Sequence, residues 1–358
     1  MLKEERHQRI VRALQQGGSV KVSDLASLLQ SSRATIWRDI DELARRGTVS
    51  KVHGGATLVE RARDLAGVER SLEFMTPQPG LVLGLQAPES LYYYGPIIAG
   101  ARRACELAGA RLVLSISGYQ SADVREAVDT LLDTEVDGML LTPTVGHDGP
   151  DDTWSWVGRL RRPIVLVERE YRGLELPGVR SVSTAHEAGV HAALWHLQQL
   201  GHRRIGLVSV HDRTDPMRRV VEGWRMAVRD LGLNTDSDTD LAWIDREPGE
   251  AAAELLAAGV TGLLCMNDAM AARVLRALRA LGVRVPGDVS LISYDDEMAE
   301  HLKPPLTAVS PSREAVGFVA AQQLLTLLST DDPGPGRRIR IDPRLVVRES
   351  TGPAPAPR

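Results

Sequence analysis

Polar and aromatic side chains gather where short β-rich runs of this sequence end. Gln86 and the run Tyr92-Tyr93-Tyr94 follow one run, Thr142 a second, and Glu168-Arg169 a third. Ser209, Asp245-Arg246, Asn267-Asp268 and Asp295-Asp296 follow later ones. Aromatic rings stack on the flat apolar face of a sugar, and carboxylates and amides bridge its hydroxyls, so this set suits a polyol. A second set lies near the N-terminus. Ser32, Arg33, Thr35, Trp37 and Arg38 open a helical pattern, and Lys51 and His53 lie in a β-rich stretch behind it. Arginine reaches a guanine edge or a phosphate, and hydroxyls at a helix N-terminus bind phosphates, so this set suits DNA.

Catalytic readings fare worse. Asp295-Asp296 with Glu300 and His301 sit on one loop, whereas glycosidic cleavage needs two carboxylates facing each other roughly 5–10 Å apart. His186, His191 and His196 recur every five residues, about 140° apart per step on a helix, so they make no metal face and are expected to be exposed. Cys105 and Cys265 lie in apolar stretches far apart in the chain, which predicts buried free thiols. No phosphate-binding glycine loop or nucleophile elbow is present. No enzyme, cofactor or metal is expected.

The elements that position these residues follow from pattern. Lys3 to Gln16 predicts a helix stopped by Gly17-Gly18, and Ser19–Val22 a short extended piece. Ser23 predicts an N-cap for a helix over 24–29, with Leu25, Leu28 and Leu29 inward. After the turn Gln30-Ser31-Ser32, a third helix runs from Arg33 to Arg46, with Ile36, Ile40, Leu43 and Ala44 on one face. That is a helix-turn-helix, and the β-rich runs around Gly54-Gly55 predict a hairpin wing. Prolines at 77 and 79 mark a boundary, and residues 64–75 have the pattern of a short helix. From Leu81 onward, strands near 81–85, 112–116, 138–142 and 163–167 alternate with helices. The rhythm restarts after Val182, with strands near 204–209, 241–244, 262–266 and 289–294. Such alternation predicts parallel sheets flanked by helices, in two lobes, with ligands beyond the carboxyl ends of the strands.

The 358 residues carry 43 Lys+Arg against 47 Asp+Glu, yet the charge is uneven. Residues 1–63 hold 12 basic and 7 acidic side chains, so a basic head precedes an acidic body. The charged start, without an apolar signal core or a membrane-length apolar run, predicts a cytoplasmic protein with no membrane partner.

Two resemblances sharpen this. Thr35-Ile36-Trp37-Arg38-Asp39-Ile40, Leu43, Gly47 and His53-Gly54-Gly55-Ala56 resemble the winged helix of the DeoR family of bacterial regulators. Trp37 stands where that family usually has a second arginine; it suits stacking on the DNA backbone or covering the core edge. Further on, Gly201-His202-Arg203-Arg204-Ile205, Glu222-Gly223-Trp224, Met266–Ala271, Val285–Asp296, Pro304–Val309 and Val347–Ser350 resemble the sensor domain of the LacI family. That resemblance implies the type I periplasmic-binding-protein fold and a small effector, most often a sugar, between the lobes. It assigns Tyr93 as a stacking aromatic, Glu168 and Arg169 as polar contacts, and Asn267 and Asp295 as holders of ligand hydroxyls. Arg219 enters as a candidate because the family's usual arginine position falls on its neighbour Val220, and Leu91-Tyr92 replace the usual Asn-Pro.

The expected fold is thus α/β: a small N-terminal winged helix-turn-helix (1–60), a linker (61–79), a two-lobed body (80–350) and a tail (351–358). Lobe 1 is expected near 80–180 and 309–328, and lobe 2 near 181–308 and 331–349. The expected function is a homodimeric, effector-controlled regulator of transcription, a repressor, bound to an operator of double-stranded DNA. The rival readings are an activator of the same architecture and a sugar-binding protein without DNA function, which leaves residues 1–60 unexplained.

Overall fold

The structure, a computed structural model, describes residues 3–17, 19–45, 49–52, 54–58, 79–89, 91–144, 153–171, 178–209, 214–236, 241–243, 248–330 and 334–356. The chain divides into two compact units, residues 1–77 and 78–358.

The first unit contains α1 (Lys3–Gly17), β1 (Ser19–Lys21), α2 (Val22–Leu28), α3 (Arg33–Arg45), β2 (Val49–Val52) and β3 (Gly55–Leu58). Its core joins Ile10 and Leu14 of α1, Leu25 and Leu29, and Ile36, Ile40 and Leu43 of α3. The expected inward face of α2 needs a correction: Leu28 is 64% exposed, because the helix starts at Val22 and its second leucine turns outward. Lys21, not Ser23, is the N-cap residue; the Ser23 hydroxyl instead donates to Asp24. Strands β2 and β3 form the antiparallel wing, and β3 also pairs with β1. Gly54 turns the wing at φ +76°, and a Cβ on Gly55 would lie 2.3 Å from the carbonyl oxygen of Val20. Both positions therefore require glycine. Asp39 of α3, almost fully buried, clamps α1 by accepting from Arg6 and from His7 Nε2 (3.1 Å).

The second unit holds two six-stranded sheets. In the first the order is β14-β8-β7-β6-β4-β5, all parallel: β4 (Val82–Pro88), β5 (Arg111–Ser117), β6 (Gly138–Leu141), β7 (Ile164–Val167), β8 (Arg180–Thr184) and β14 (Arg338–Ile341). In the second the order is β10-β9-β11-β12-β13-β15: β9 (Ile205–Ser209), β10 (Leu241–Trp243), β11 (Gly262–Cys265), β12 (Ser290–Tyr294), β13 (Thr307–Ser310) and an antiparallel edge strand β15 (Arg344–Val346). The helices follow the strands: α4 (Leu91–Ala108), α5 (Ser121–Asp133), α6 (Thr153–Val157), α7 (His186–Gln199), α8 (Asp215–Asp230), α9 (Pro248–Ala257), α10 (Asp268–Ala280) and α11 (Arg313–Leu328).

The sheets relocate the lobe borders. Arg180–Thr184 and Arg338–Ile341 pair with each other in the first sheet, although the sequence reading put both in lobe 2. Thr307–Ser310 lies wholly in the second sheet. Three short crossings therefore join the lobes, at 184–186, 310–313 and 341–344. Each lobe has its own apolar centre: Leu131, Met139 and Leu166 in the first, and Leu197, Trp224, Leu263 and Leu291 in the second. Both cysteines are free and buried, and burial pushes the Cys105 thiol up to about 12.

Candidate effector cavity and DNA-binding face

A cavity of about 320 Å³ lies among the carboxyl ends of the strands and beside the lobe crossings. Tyr92, Tyr93 and Tyr94 reach it from the first turn of α4, which begins at Leu91. Met217 and Val220 reach it from α8, spaced three apart on one helical face. Asn267 and Asp295 reach it from just beyond β11 and β12.

The three expected carboxylate and arginine contacts differ in depth. Arg169 lines the cavity, and its Nε and Nη1 are held within the protein. Nε donates to the Pro143 carbonyl (2.8 Å), and Nη1 donates to the Glu168 carbonyl (2.8 Å) and the Tyr94 hydroxyl (3.3 Å). Glu168 stands behind the wall at φ +52°, a strained conformation for a non-glycine residue. Its carboxylate accepts from Thr184 Oγ1 (2.7 Å), Thr184 N (3.1 Å), the Tyr93 hydroxyl (3.2 Å) and His186 Nε2 (3.3 Å). Burial alone would raise this carboxyl, but the hydrogen bonds from His186 and Thr184 and the nearby imidazole outweigh it and hold it below its usual range.

Arg219 does not reach the cavity; this is a correction. It is buried in an ion-pair cluster with Glu187 (3.0 and 2.7 Å) and Glu170 (3.2 Å), and its Nη1 donates to Ser183 Oγ. Helical geometry decides this: Met217 and Val220 share the cavity face, and Arg219 points off it toward the first turn of α7. Arg340 completes the cluster with two 2.8 Å bonds to Glu170, whose carboxyl is desolvated yet held down to about 2 by Arg340 and Arg219.

Asn267 caps α10, its Oδ1 accepting from Met270 N (2.8 Å), which leaves its amide hydrogens to face the cavity. Its neighbour Asp268 is buried and structural. Its Oδ2 accepts from Glu297 N (2.6 Å), Met298 N (2.7 Å) and the Tyr92 hydroxyl (3.2 Å), while Oδ1 accepts from Ser293. Asp295 is 8% exposed, at φ +89°, and its carboxylate accepts no hydrogen bond among the described residues. Burial, reinforced by Asp268, Glu297 and Glu168 and opposed by Arg313, pushes it up to about 7.

Sequence reasoning missed three contributors. His186 was expected to be exposed. It is instead buried, and lines the cavity; Nε2 donates to Glu168 (3.3 Å), and Nδ1 shares a 2.9 Å hydrogen bond with the Tyr294 hydroxyl. His196 is half-buried against Thr351, and His191 is exposed as expected. Tyr294 ends β12 and Arg313 begins α11; the rule of looking just past each strand covers both, once Thr307–Ser310 is recognised as a strand. The Arg313 guanidinium lies 5.3 Å from the Tyr93 ring centroid, donates to the Asp295 carbonyl (3.0 Å) and pairs with Glu297. Gln86 lies inside β4 rather than after it. It bridges Ser117 and Thr142 beneath the strand ends.

In the first unit, Ser32 caps α3: its Oγ accepts from Thr35 N (3.1 Å) and shares a 2.9 Å bond with the Thr35 hydroxyl. Arg33 and Arg38 are exposed on α3, and no described residue holds either guanidinium. Trp37 packs at the edge of the core, the second of the two roles it suits. Lys51 of the wing is exposed and pairs with Asp41 of α3 (2.5 Å). His53 and the predicted helix over 64–75 lie outside the described residues.

A cavity where two parallel sheets meet, in a chain headed by a winged helix, is the architecture of a ligand-responsive regulator. The family comparisons agree. A model described as a DeoR-like helix-turn-helix domain matches residues 6–62, and one described as a periplasmic binding protein-like domain matches residues 194–351. A transcriptional regulator of Streptomyces coelicolor, MalR, is 31% identical over 351 residues, covering 95% of this chain and 99% of the relative. The chain belongs to the LacI family of helix-turn-helix transcriptional regulators. Further relatives of this regulator are named as repressors. Among solved structures, the regulator CelR in complex with cellobiose matches with a TM-score of 0.66 and 26% identity, over 92% of this chain and 99% of that one. A LacI-family regulator from Sanguibacter keddieii matches at 0.61 and 30%, over 76% and 98%. No helix among the described residues is long and apolar enough to cross a membrane.

Proposed function

We propose that the regulator represses transcription as a homodimer on a roughly palindromic operator, and that a small effector in the cavity, a sugar or a related metabolite, sets its operator affinity. The observation that carries this reading is the position of the cavity. It is lined by residues of both lobes and by His186 at one crossing, while Arg313 at another crossing backs the Tyr93 ring, so a ligand there has different contacts when the lobes move. Ligands shift equilibria only through such differential contacts. Ser32, Arg33, Thr35 and Arg38 present the DNA-reading face, with Lys51 on the wing; Tyr93, Asn267 and Asp295 present the effector face, with Glu168 and Arg169 fixing it from behind. The ligand is bound without turnover, in the cytoplasm.

The test is a thermal-shift screen of the full chain against sugars, sugar phosphates, polyols and nucleosides. A ligand of the folded state at a hundredfold excess over Kd adds about 2.7 kcal/mol of stability. A dose-dependent rise in Tm that is lost in Tyr93→Ala supports the reading. A hit that survives Tyr93→Ala places the ligand elsewhere and contradicts it.

A further inference from the structure

Helix α3 carries three acidic residues, and they have different partners. Asp39 is buried against Arg6 and His7 of α1. Glu42 pairs with Lys3, also of α1 (2.6 Å). Asp41 pairs across to the wing instead, with Lys51 (2.5 Å). Helical phase separates them. Ala34, Arg38 and Asp41 recur at i, i+4 and i+7, which puts them on one stripe about 180° from the buried Ile36, Ile40 and Leu43. Of the three acids, Asp41 alone lies on the stripe that faces away from the core.

A carboxylate there repels a polyanion, and stability does not account for it. The side chains of Asp41 and Lys51 are 48% and 51% exposed, and exposed pairs add little to folding. Nor does the carboxylate take the nearer partner. Arg38 precedes it at the i, i+3 spacing that suits an ion pair within a helix, yet Arg38 makes none among the described residues. Lys51 takes the carboxylate, and the Arg38 guanidinium stays open. A methyl, a guanidinium and a carboxylate are thus presented outward along one stripe. Each has a match on a base edge in the major groove: the thymine methyl, guanine O6 and N7, and the N4 amino group of cytosine.

We infer that Asp41 is a base-reading residue: its carboxylate accepts from the N4 amino group of a cytosine in the major groove, within two or three base pairs of the pair that Arg38 reads, and Lys51 is the positioning residue that orients it. This rests on α3 being the helix that enters the groove. The spacing follows from the helix, along which Arg38 and Asp41 are about 4.5 Å apart, against about 3.4 Å per base pair. Guanine and thymine offer only acceptors at their major-groove edges, so the same carboxylate rejects them. Its repulsion of DNA at large becomes discrimination between sites.

Selection from random duplex DNA with the full chain, then anisotropy titrations with each base pair at every selected position, tests it. For the wild type we expect one position at which cytosine outbinds guanine and thymine by about tenfold. Asp41→Ala should flatten that position to within about twofold and leave the preferences elsewhere in place. Lys51→Met should weaken the preference at the same position and leave the dependence of affinity on salt unchanged. Both substitutions fall on exposed side chains, and an unchanged Tm shows that the variants fold. The inference is overturned if Asp41→Ala keeps every base preference and binds all duplexes tighter alike, because the carboxylate then acts by repulsion only. The role of Lys51 is overturned if Lys51→Met lowers the salt slope by about one and leaves the preference intact, because the lysine then meets a phosphate. A wild-type chain that recovers no duplex overturns the DNA-binding reading as well, whereas a duplex whose preferences ignore Asp41 overturns this inference alone.

Discussion

Asp295 makes the stability of the chain depend on pH. A carboxyl whose pKa rises on folding, here from an ordinary ~3.9 to about 7, holds its proton more tightly in the folded state. Its contribution to stability is therefore fullest below pH ~4 and is lost as pH rises toward 7. Arg313 opposes this and Asp268, Glu297 and Glu168 reinforce it. Asp295→Asn should thus raise the Tm of the ligand-free chain at pH 8 by several degrees, up to about 4 kcal/mol, and have little effect at pH 4, close to the unfolded value. Calorimetry at the two pH values checks this; an equal effect at both would mean that the carboxylate is paired. At the DNA face, Arg38→Ala should weaken operator binding by about 1–3 kcal/mol if Arg38 reads a base, or lower the salt slope by about one if it meets a phosphate. Anisotropy titrations over a range of salt separate these outcomes, and no change in either would remove Arg38 from the face. The single residues that line the cavity were legible because strand ends collect ligand contacts, which is how Asn267, Asp295 and Tyr93 stood out. Arg219 was not decidable from sequence: one helical step separates the cavity face, Val220, from the ion-pair face.

Elements place these residues through close backbone contacts. Helices α4 and α11 cross at Gly100 and Gly317. A Cβ on Gly317 would lie 1.8 Å from the Ile97 carbonyl oxygen, and one on Gly100 would lie 1.9 Å from that of Glu314. These helices carry Tyr93, which lines the cavity, and Arg313, which lies over its ring, so their separation sets the position of that wall. Gly317→Ala must push the helices apart and should cost about 1–3 kcal/mol, measurable as a lower denaturant midpoint. A midpoint equal to wild type would mean that the helices can slide without loss. Alternating apolar runs made most strands and helices readable. That Tyr92-Tyr93-Tyr94 form the first turn of α4 was hidden, because the run carries no helix-start signal. The lobe borders were hidden too. Arg180–Thr184 and Arg338–Ile341 are short strands whose partners are long-range, and pairing over more than 150 residues leaves no local trace. His186 was misjudged for the same reason: its burial comes from Glu168 and Tyr294, neither near it in sequence.

On the scale of the whole molecule, the charge asymmetry acquires a use. The basic first 63 residues meet a polyanion, and the acidic remainder disfavours it. Operator affinity should therefore fall steeply between 50 and 200 mM salt, in proportion to the number of phosphates neutralised. Effector and operator sites belong to different compact units, so control requires a coupling free energy between them, ordinarily about 1–3 kcal/mol. By linkage the operator must change effector affinity by the same factor. The most direct test is to recover a duplex by selection from random DNA and measure its Kd with the full chain, with and without a saturating ligand that raises the Tm. The account predicts a palindromic site and a Kd shifted about 5- to 150-fold by the ligand, with no shift in Tyr93→Ala. A cavity ligand that leaves operator affinity unchanged would contradict it.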